Sequence, residues 1–163
     1  MIKFEHVSKV YDGKVAVVDD INLEIKRGEF VVFIGPSGCG KSTVLRMMNG
    51  TEKPTGGSVC LNDQDISKIS ETELKSNIGH VTQQTGLFPH LTIGANIRQA
   101  SRLPRSKKRT DKCSNARIRE LLKMVGMDPS EYIDRFPSQL SGGQQQRIGI
   151  VRELAKEPDI LLM

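Results

Sequence analysis

The residues best suited to chemistry lie together at Gly35-Pro36-Ser37-Gly38-Cys39-Gly40-Lys41-Ser42, a complete G-x-x-x-x-G-K-S phosphate-binding loop. An apolar run, Phe30-Val31-Val32-Phe33-Ile34, precedes it, and a helix-forming run begins at Thr43. The loop is therefore expected to join a buried strand to a helix N-terminus. Gly35, Gly38 and Gly40 permit backbone conformations closed to residues with a Cβ. The N–H groups around them, through Ser37 and Cys39, can then converge on phosphate oxygens. The Lys41 ammonium adds a point charge for the β- and γ-phosphates, and the Ser42 hydroxyl can complete a magnesium shell. Ser42, Thr43 and the rest of the first helical turn contribute free N–H groups and the positive end of the helix dipole. With every position of the motif filled, the ligand predicted is a nucleoside triphosphate.

Two further places bear on such a ligand. Leu140-Ser141-Gly142-Gly143-Gln144 opens a second helix with a hydroxyl and two bare backbone positions, a second candidate anion site. Alone, Ser-Gly-Gly at a helix start is a cap. Tyr11 lies in a short polar turn ending Asp12-Gly13. A phosphate loop leaves the base without a pocket, and an exposed aromatic face can stack on it, although an aromatic at a turn equally serves packing. His80, on a strand, reads as a packed or surface residue before it reads as a ligand or base.

The elements that must hold these residues follow from the hydrophobic pattern. Residues 2–7 alternate as a strand, with Ile2, Phe4 and His6 on one face and Lys3 and Glu5 on the other. Residues 16–25 form a second strand, and 26–29 a turn into the phosphate-loop strand. After the first helix, stopped at Gly50, Pro54-Thr55-Gly56-Gly57 reads as a tight turn and 58–62 as a short strand. Residues 71–76 read as a short helix and 78–82 as a strand, with Gln83 at its end. Residues 93–99 and 116–125 are helical. Asp128-Pro129 caps a short helix that Pro137 closes, and the Ser141 helix follows. Residues 158–163 read as a final strand beside the phosphate-loop strand, in an α/β fold.

Bulk properties narrow the class. At 163 residues the chain suits one domain, and 37% apolar content with five Phe, two Tyr and no Trp is ordinary for an α/β protein. There is no run of about 18 apolar residues to span a bilayer. Met1-Ile2-Lys3-Phe4-Glu5 has neither a signal nor a transit pattern. Cys39, Cys60 and Cys113 are too widely spaced for a metal-ligand motif and fit a reducing compartment. The net charge of +5 is spread along the chain, as on a solvated surface. The basic run Arg102, Arg105, Lys107, Lys108, Arg109 and Lys112 could meet an anionic membrane or nucleic acid, or form a solvated linker.

With a phosphate loop and a Leu-Ser-Gly-Gly-Gln stretch about a hundred residues apart, the whole chain resembles the ATP-binding subunits of ABC transporters. In that likeness residues 1–163 form a P-loop nucleotide-binding domain of ABC type. It has a mixed sheet, an N-terminal antiparallel part and a helical signature subdomain at roughly 84–150. The phosphate loop corresponds to the Walker A motif, and Leu140 to Gln144 to the signature motif. Tyr11 falls at the adenine-stacking aromatic. Gln83 falls at the glutamine that touches magnesium and the attacking water, so Lys41 and Gln83 are the implied catalytic residues and Ser42 and Gln83 the implied metal contacts. ATP and Mg2+ are the implied cofactors.

Partners are implied as well. A second ATP-binding subunit would face the first head to tail, with Ser141, Gly142, Gly143 and Gln144 reaching the partner's ATP. Transmembrane permease subunits would dock beside Leu87-Phe88-Pro89-His90-Leu91-Thr92 at the cytoplasmic face of the membrane, and no nucleic acid is expected.

Gly126-Met127-Asp128-Pro129-Ser130-Glu131-Tyr132, Arg135-Phe136-Pro137-Ser138-Gln139-Leu140 and Arg147-Ile148-Gly149-Ile150-Val151-Arg152 are most similar to importers of quaternary-amine osmoprotectants such as glycine betaine, choline and carnitine. A soluble ABC ATPase, or a fragment that only binds ATP, are the alternative readings. Thr82 and Glu153 depart from the family pattern, at places where an aromatic and a small residue are common. Residues 158–163 resemble the Walker B strand, and the family's carboxylates and switch histidine would follow Met163. The chain is thus expected to be an N-terminal piece that binds ATP weakly and does not turn it over.

Overall fold

A computed structural model of the chain describes residues 1–13, 15–82, 85–101 and 113–163. Gln83 and the basic run at 102–112 lie outside these residues. The chain divides into two compact units, Met1–Leu74 and Lys75–Met163.

In the first unit, β1 (Ile2–Val10) and β2 (Ala16–Ile25) form an antiparallel hairpin. β1 also pairs antiparallel with β3 (Gly56–Leu61), and β3 with β4 (Gln64–Asp65), giving the order β2-β1-β3-β4. The buried face is built from Ile2, Phe4, Val7, Val18, Val59 and Leu61. The simple alternation expected along β1 breaks at His6, which is exposed and left-handed at φ 50°. The register shifts there, so Val7 rather than His6 enters the core. This bulge also explains why β3 starts earlier than expected. Gly57, at φ +74°, passes so close that a Cβ would lie 2.2 Å from the His6 carbonyl oxygen, and only glycine fits.

α1 (Lys41–Met48) buries Val44, Met47 and Met48. The apolar run ahead of it departs from expectation: residues 29–36 form no strand, and Phe30 and Ile34 are 83% and 92% exposed. Hydrophobicity prepares a segment for a sheet, but a strand exists only where a neighbour takes its N–H and C=O groups.

In the second unit, α3 (Ile93–Ala100), α4 (Asn115–Met124), the short α5 (Pro129–Tyr132) and α6 (Gly142–Leu154) pack around one core. Ile93, Ile97, Ile118, Leu122 and Ile148 are fully buried there, each contributing about 1.5–3 kcal/mol by leaving water. Between α5 and α6, Pro137 opens a 3-10 turn (Pro137–Gln139) rather than closing the preceding helix, as its fixed φ allows at a first helical position. β6 (Ile160–Leu162) takes its partner from β5 (Ile78–His80), in parallel, and not from the phosphate-loop segment. α2 (Glu71–Asn77) leads into β5. Among the described residues no helix is long and apolar enough to cross a membrane, and the three cysteines are free.

Two carboxylates act as caps. Asp65 accepts from the Ser67 N–H at 2.8 Å, and Asp128 accepts from the Ser130 N–H at 2.8 Å and its hydroxyl at 2.7 Å. The Ser67 backbone bond holds the Asp65 carboxyl below its ordinary 3.8, and the Ser130 hydroxyl bond does the same for Asp128. Both therefore ionise more readily folded than unfolded. Their stabilisation is complete above about pH 3.8 and is lost as pH falls through the depressed values. Asparagine keeps a capping oxygen but cannot titrate. The D65N/D128N variant should lose less stability than the parent between about pH 4 and pH 2 in urea unfolding. Superimposable pH profiles would show that these caps do not titrate as described.

Candidate functional site

The phosphate loop sits on the hairpin of the first unit through Gly40. This residue is the left-handed N-cap of α1 at φ 92°, and a Cβ there would lie 2.7 Å from the Val17 carbonyl oxygen and 3.3 Å from Val18 Cγ2. Conformation and contact thus exclude every other side chain. Gly35 is tight for another reason: a Cβ would meet Cys39 Sγ at 2.8 Å. Gly38, at φ +83°, has open space around it, so its need is conformational. Val44 N–H donates to the Gly40 carbonyl at 2.9 Å and starts the helix ladder.

Lys41 folds its ammonium back over the loop. Nζ donates to the carbonyls of Gly35 at 2.7 Å and Pro36 at 2.6 Å, and lies 3.5 Å from Cys39 Sγ. The loop and this charge therefore form one compact object. Ser37 and Cys39 are exposed, as is Ser42 in the first turn of α1, whereas Thr43 is buried against the helix. An exposed serine hydroxyl at this place suits a hard, oxygen-preferring cation.

Tyr11, 39% exposed, follows the end of β1. The Lys9 ammonium lies over its ring, 4.9 Å from the centroid. Lys9 is itself buried, paired with Glu52 at 2.5 Å and donating to the Lys53 carbonyl at 2.7 Å. The hydrogen bond from Lys9 holds the Glu52 carboxyl below the usual carboxylate range, with smaller help from Tyr11 and Arg46. Neither Lys9 nor Glu52 stands out in the sequence. The alternation expected along β1 puts Lys9 on the outward face, and only the bulge turns it inward.

In the second unit, α6 begins with a reciprocal cap. Ser141 Oγ accepts from the Gln144 N–H at 3.3 Å, and Gln144 Oε1 accepts from the Ser141 N–H at 2.8 Å. Gln144 Nε2 also donates to the Tyr132 hydroxyl at 3.1 Å, so its side chain is locked at both ends. Gln145 Nε2 donates to the carbonyls of Pro137 and Leu140, tying the approach to α6. Among the described residues, nothing lies within 4 Å of where a Cβ would stand on Gly142 or Gly143.

The structure therefore gathers the loop residues Gly35 to Thr43 in one place, with Tyr11 on the same unit, and Ser141 to Gln144 in another. Asn96 was not singled out by sequence. Fully buried, it accepts from Phe88 N–H at 2.8 Å and its amide nitrogen reaches the Phe88, Leu91 and Thr92 carbonyls at 3.0–3.1 Å. It thereby shapes the 87–92 loop; a polar residue amid the apolar spacing of α3 was its only trace. Glu153, in the departure noted above, is buried and accepts from His80 N–H at 3.3 Å and from Lys156 Nζ at 2.6 Å. His80 thus sits in a structural contact through its backbone.

Residues 18–163 match the ABC transporter family. The chain belongs to that family. Over all 163 residues it is 50% identical to the glycine betaine/carnitine/choline transport ATP-binding protein OpuCA of Bacillus subtilis (strain 168), covering 42% of that protein. It is 48% identical over 163 residues to the carnitine transport ATP-binding protein OpuCA of Listeria monocytogenes serotype 1/2a (strain 10403S), covering 40% of it. The chain thus spans well under half the length of these relatives. Among solved structures it resembles the dimeric post-hydrolysis state of the ATP-binding cassette MJ0796 bound to ADP and Pi. The TM-score is 0.81 at 36% identity, over 99% of this chain and 72% of that one.

The contrast between the two glycine sites is directly measurable. Gly40→Ala should destabilise the chain by about 1–3 kcal/mol, through backbone strain and the Val17 clash. Gly142→Ala, at an open helical position, should leave stability unchanged or raise it by up to about 1 kcal/mol. Equal losses in urea unfolding would contradict the open surroundings of Gly142.

Proposed function

We propose that the chain is the nucleotide-binding part of an ATP-hydrolysing subunit that powers import of a quaternary-amine osmoprotectant. One observation carries this reading: a complete, compactly held phosphate loop in a chain half identical, over its whole length, to a glycine betaine/carnitine/choline transport ATP-binding protein. In it, Gly35, Ser37, Gly38, Cys39, Gly40, Lys41, Ser42 and Thr43 cradle the phosphates, and Tyr11 stacks on adenine. Lys41 gives up its loop carbonyls to follow the γ-phosphate, stabilising charge as the phosphoryl group leaves. Mg2+ would be held by Ser42 and Gln83, and would supply charge that offsets that of the phosphates. Gln83 would also orient the attacking water.

Residues 84–150 serve as the helical subdomain that presents Ser141, Gly142, Gly143 and Gln144 to ATP on a second subunit, head to tail. The open space at Gly142 and Gly143 supports this, because glycines with none of the described residues against them leave room for a ligand arriving from outside. That the similar MJ0796 cassette is dimeric and bound to ADP and Pi supports a pairing of two such subunits. Transmembrane permease subunits would dock on the 87–92 loop that Asn96 shapes, placing the subunit on the cytoplasmic face of the membrane.

Lys41→Ala should weaken ATP binding roughly tenfold or more, measured by calorimetry, since a charge-assisted contact to phosphate is lost. In salt-stressed cells depending on the protein, it should also abolish uptake of labelled glycine betaine, choline and carnitine. Undiminished binding would remove the phosphate-loop reading; lost binding with uptake of all three solutes intact would remove the transport reading. In a chain extended to the length of the relatives it matches, Gly142→Trp should abolish hydrolysis yet leave ATP binding to the monomer unchanged. Binding that fell together with hydrolysis would rule out the head-to-tail site.

A further inference from the structure

Burying a lysine on the core face of a strand requires compensation for lost hydration, and in Lys9 that compensation spans the first unit. Lys9 lies opposite Val18 in the hairpin, and Val18 packs against Gly40 of the phosphate loop. Its ammonium meets Glu52, whose own N–H is fastened to the Arg46 carbonyl at 3.0 Å, in the last turn of α1. The strand that carries Lys9 is clamped on both sides. Thr55 donates to the Ser8 carbonyl through its N–H at 2.9 Å and its hydroxyl at 3.0 Å, and its Oγ1 accepts from the Val10 N–H at 3.1 Å. The same ammonium covers one face of the Tyr11 ring.

We infer that Lys9, held by Glu52, is a positioning residue for base recognition: it fixes the Tyr11 ring relative to the phosphate-loop helix and reserves the ring's other face for a purine. The inference rests on the proposed stacking role of Tyr11. Two physical effects combine. The ion pair joins the hairpin end to the end of α1, setting the ring's place with respect to the helix whose other end holds the phosphates. The cation on one face also restrains a side chain that would otherwise sweep through its rotamers, so less ordering remains to be done when a base arrives. Burial alone would account for the carboxylate; it would not require the ammonium to lie over the Tyr11 ring.

The test compares ATP with inorganic tripolyphosphate, because their affinity ratio isolates the base and ribose. Lys9→Met keeps the aliphatic stem and removes the charge. It should lower the ATP-to-tripolyphosphate ratio roughly threefold to tenfold while leaving tripolyphosphate affinity unchanged. Lys9→Arg should restore the ratio, and Lys9→Met added to Tyr11→Ala should lower it no further than Tyr11→Ala alone. If Tyr11→Ala lowers the ratio but Lys9→Met lowers both affinities equally, or neither, the positioning role is overturned and the stacking role stands. If Tyr11→Ala itself leaves the ratio unchanged, the stacking reading fails, and this inference with it. Should Lys9→Met not fold, Glu52→Gln decides: a lowered ratio sustains the positioning role, and an unchanged one removes it.

Discussion

The approach of Gly40 to the Val17 carbonyl is the contact on which the first unit depends. It brings the start of α1 against the second strand of the hairpin at a distance no Cβ would allow. Everything that could act on a phosphate is placed by that closeness: the left-handed turn at Gly40, the N–H groups that follow, and Lys41 folded onto the loop. A helix cannot be drawn this near a sheet by apolar burial alone, since side chains normally hold the two apart by several ångströms. Here the missing side chain is what sets the distance.

The second unit solves a different problem. Its apolar core orients α3, α4 and α6, but the start of α6 is polar and exposed. It is shaped by hydrogen bonds, not by burial. Ser141 and Gln144 cap each other, Gln145 ties the preceding turn, and Arg147 and Arg152 reach the carbonyls of Val125 and Gly86. Such bonds contribute only about 1 kcal/mol each, but they are directional. They leave Gly142 and Gly143 bare in a defined place.

Charge is used sparingly inside both units, and always in pairs. Lys9 with Glu52 and Glu153 with Lys156 are the buried examples among the described residues. Each joins elements distant in the chain: Lys9 the hairpin to the end of α1, and Glu153 the helix α6 to β5 through the His80 N–H. A buried pair adds little net stability against an apolar substitute, but losing one partner is costly. Its effect is to admit one arrangement and penalise the others.

The sequence by itself determined the local elements. β2 occupies the expected 16–25, α1 follows the phosphate loop, and the caps at Asp128 and Ser141 start their helices where the residue types place them. Propensity, capping and the need for left-handed glycines act within a few residues, so they can be read from a few residues. The family, too, was legible in Gly35 to Ser42 and Leu140 to Gln144. Only the tertiary structure decided which strands have partners and which side chains meet. Phe30 to Ile34 reads as a buried strand yet is exposed except at the half-buried Phe33, and β6 pairs with β5, because strand pairing depends on a distant neighbour that no local pattern encodes. The bulge that moves Val7 inward is a register shift, and the lysine over Tyr11 and the asparagine under the 87–92 loop are polar side chains turned to particular partners; hydrophobic periodicity records neither a shift of register nor the partner a polar side chain finds.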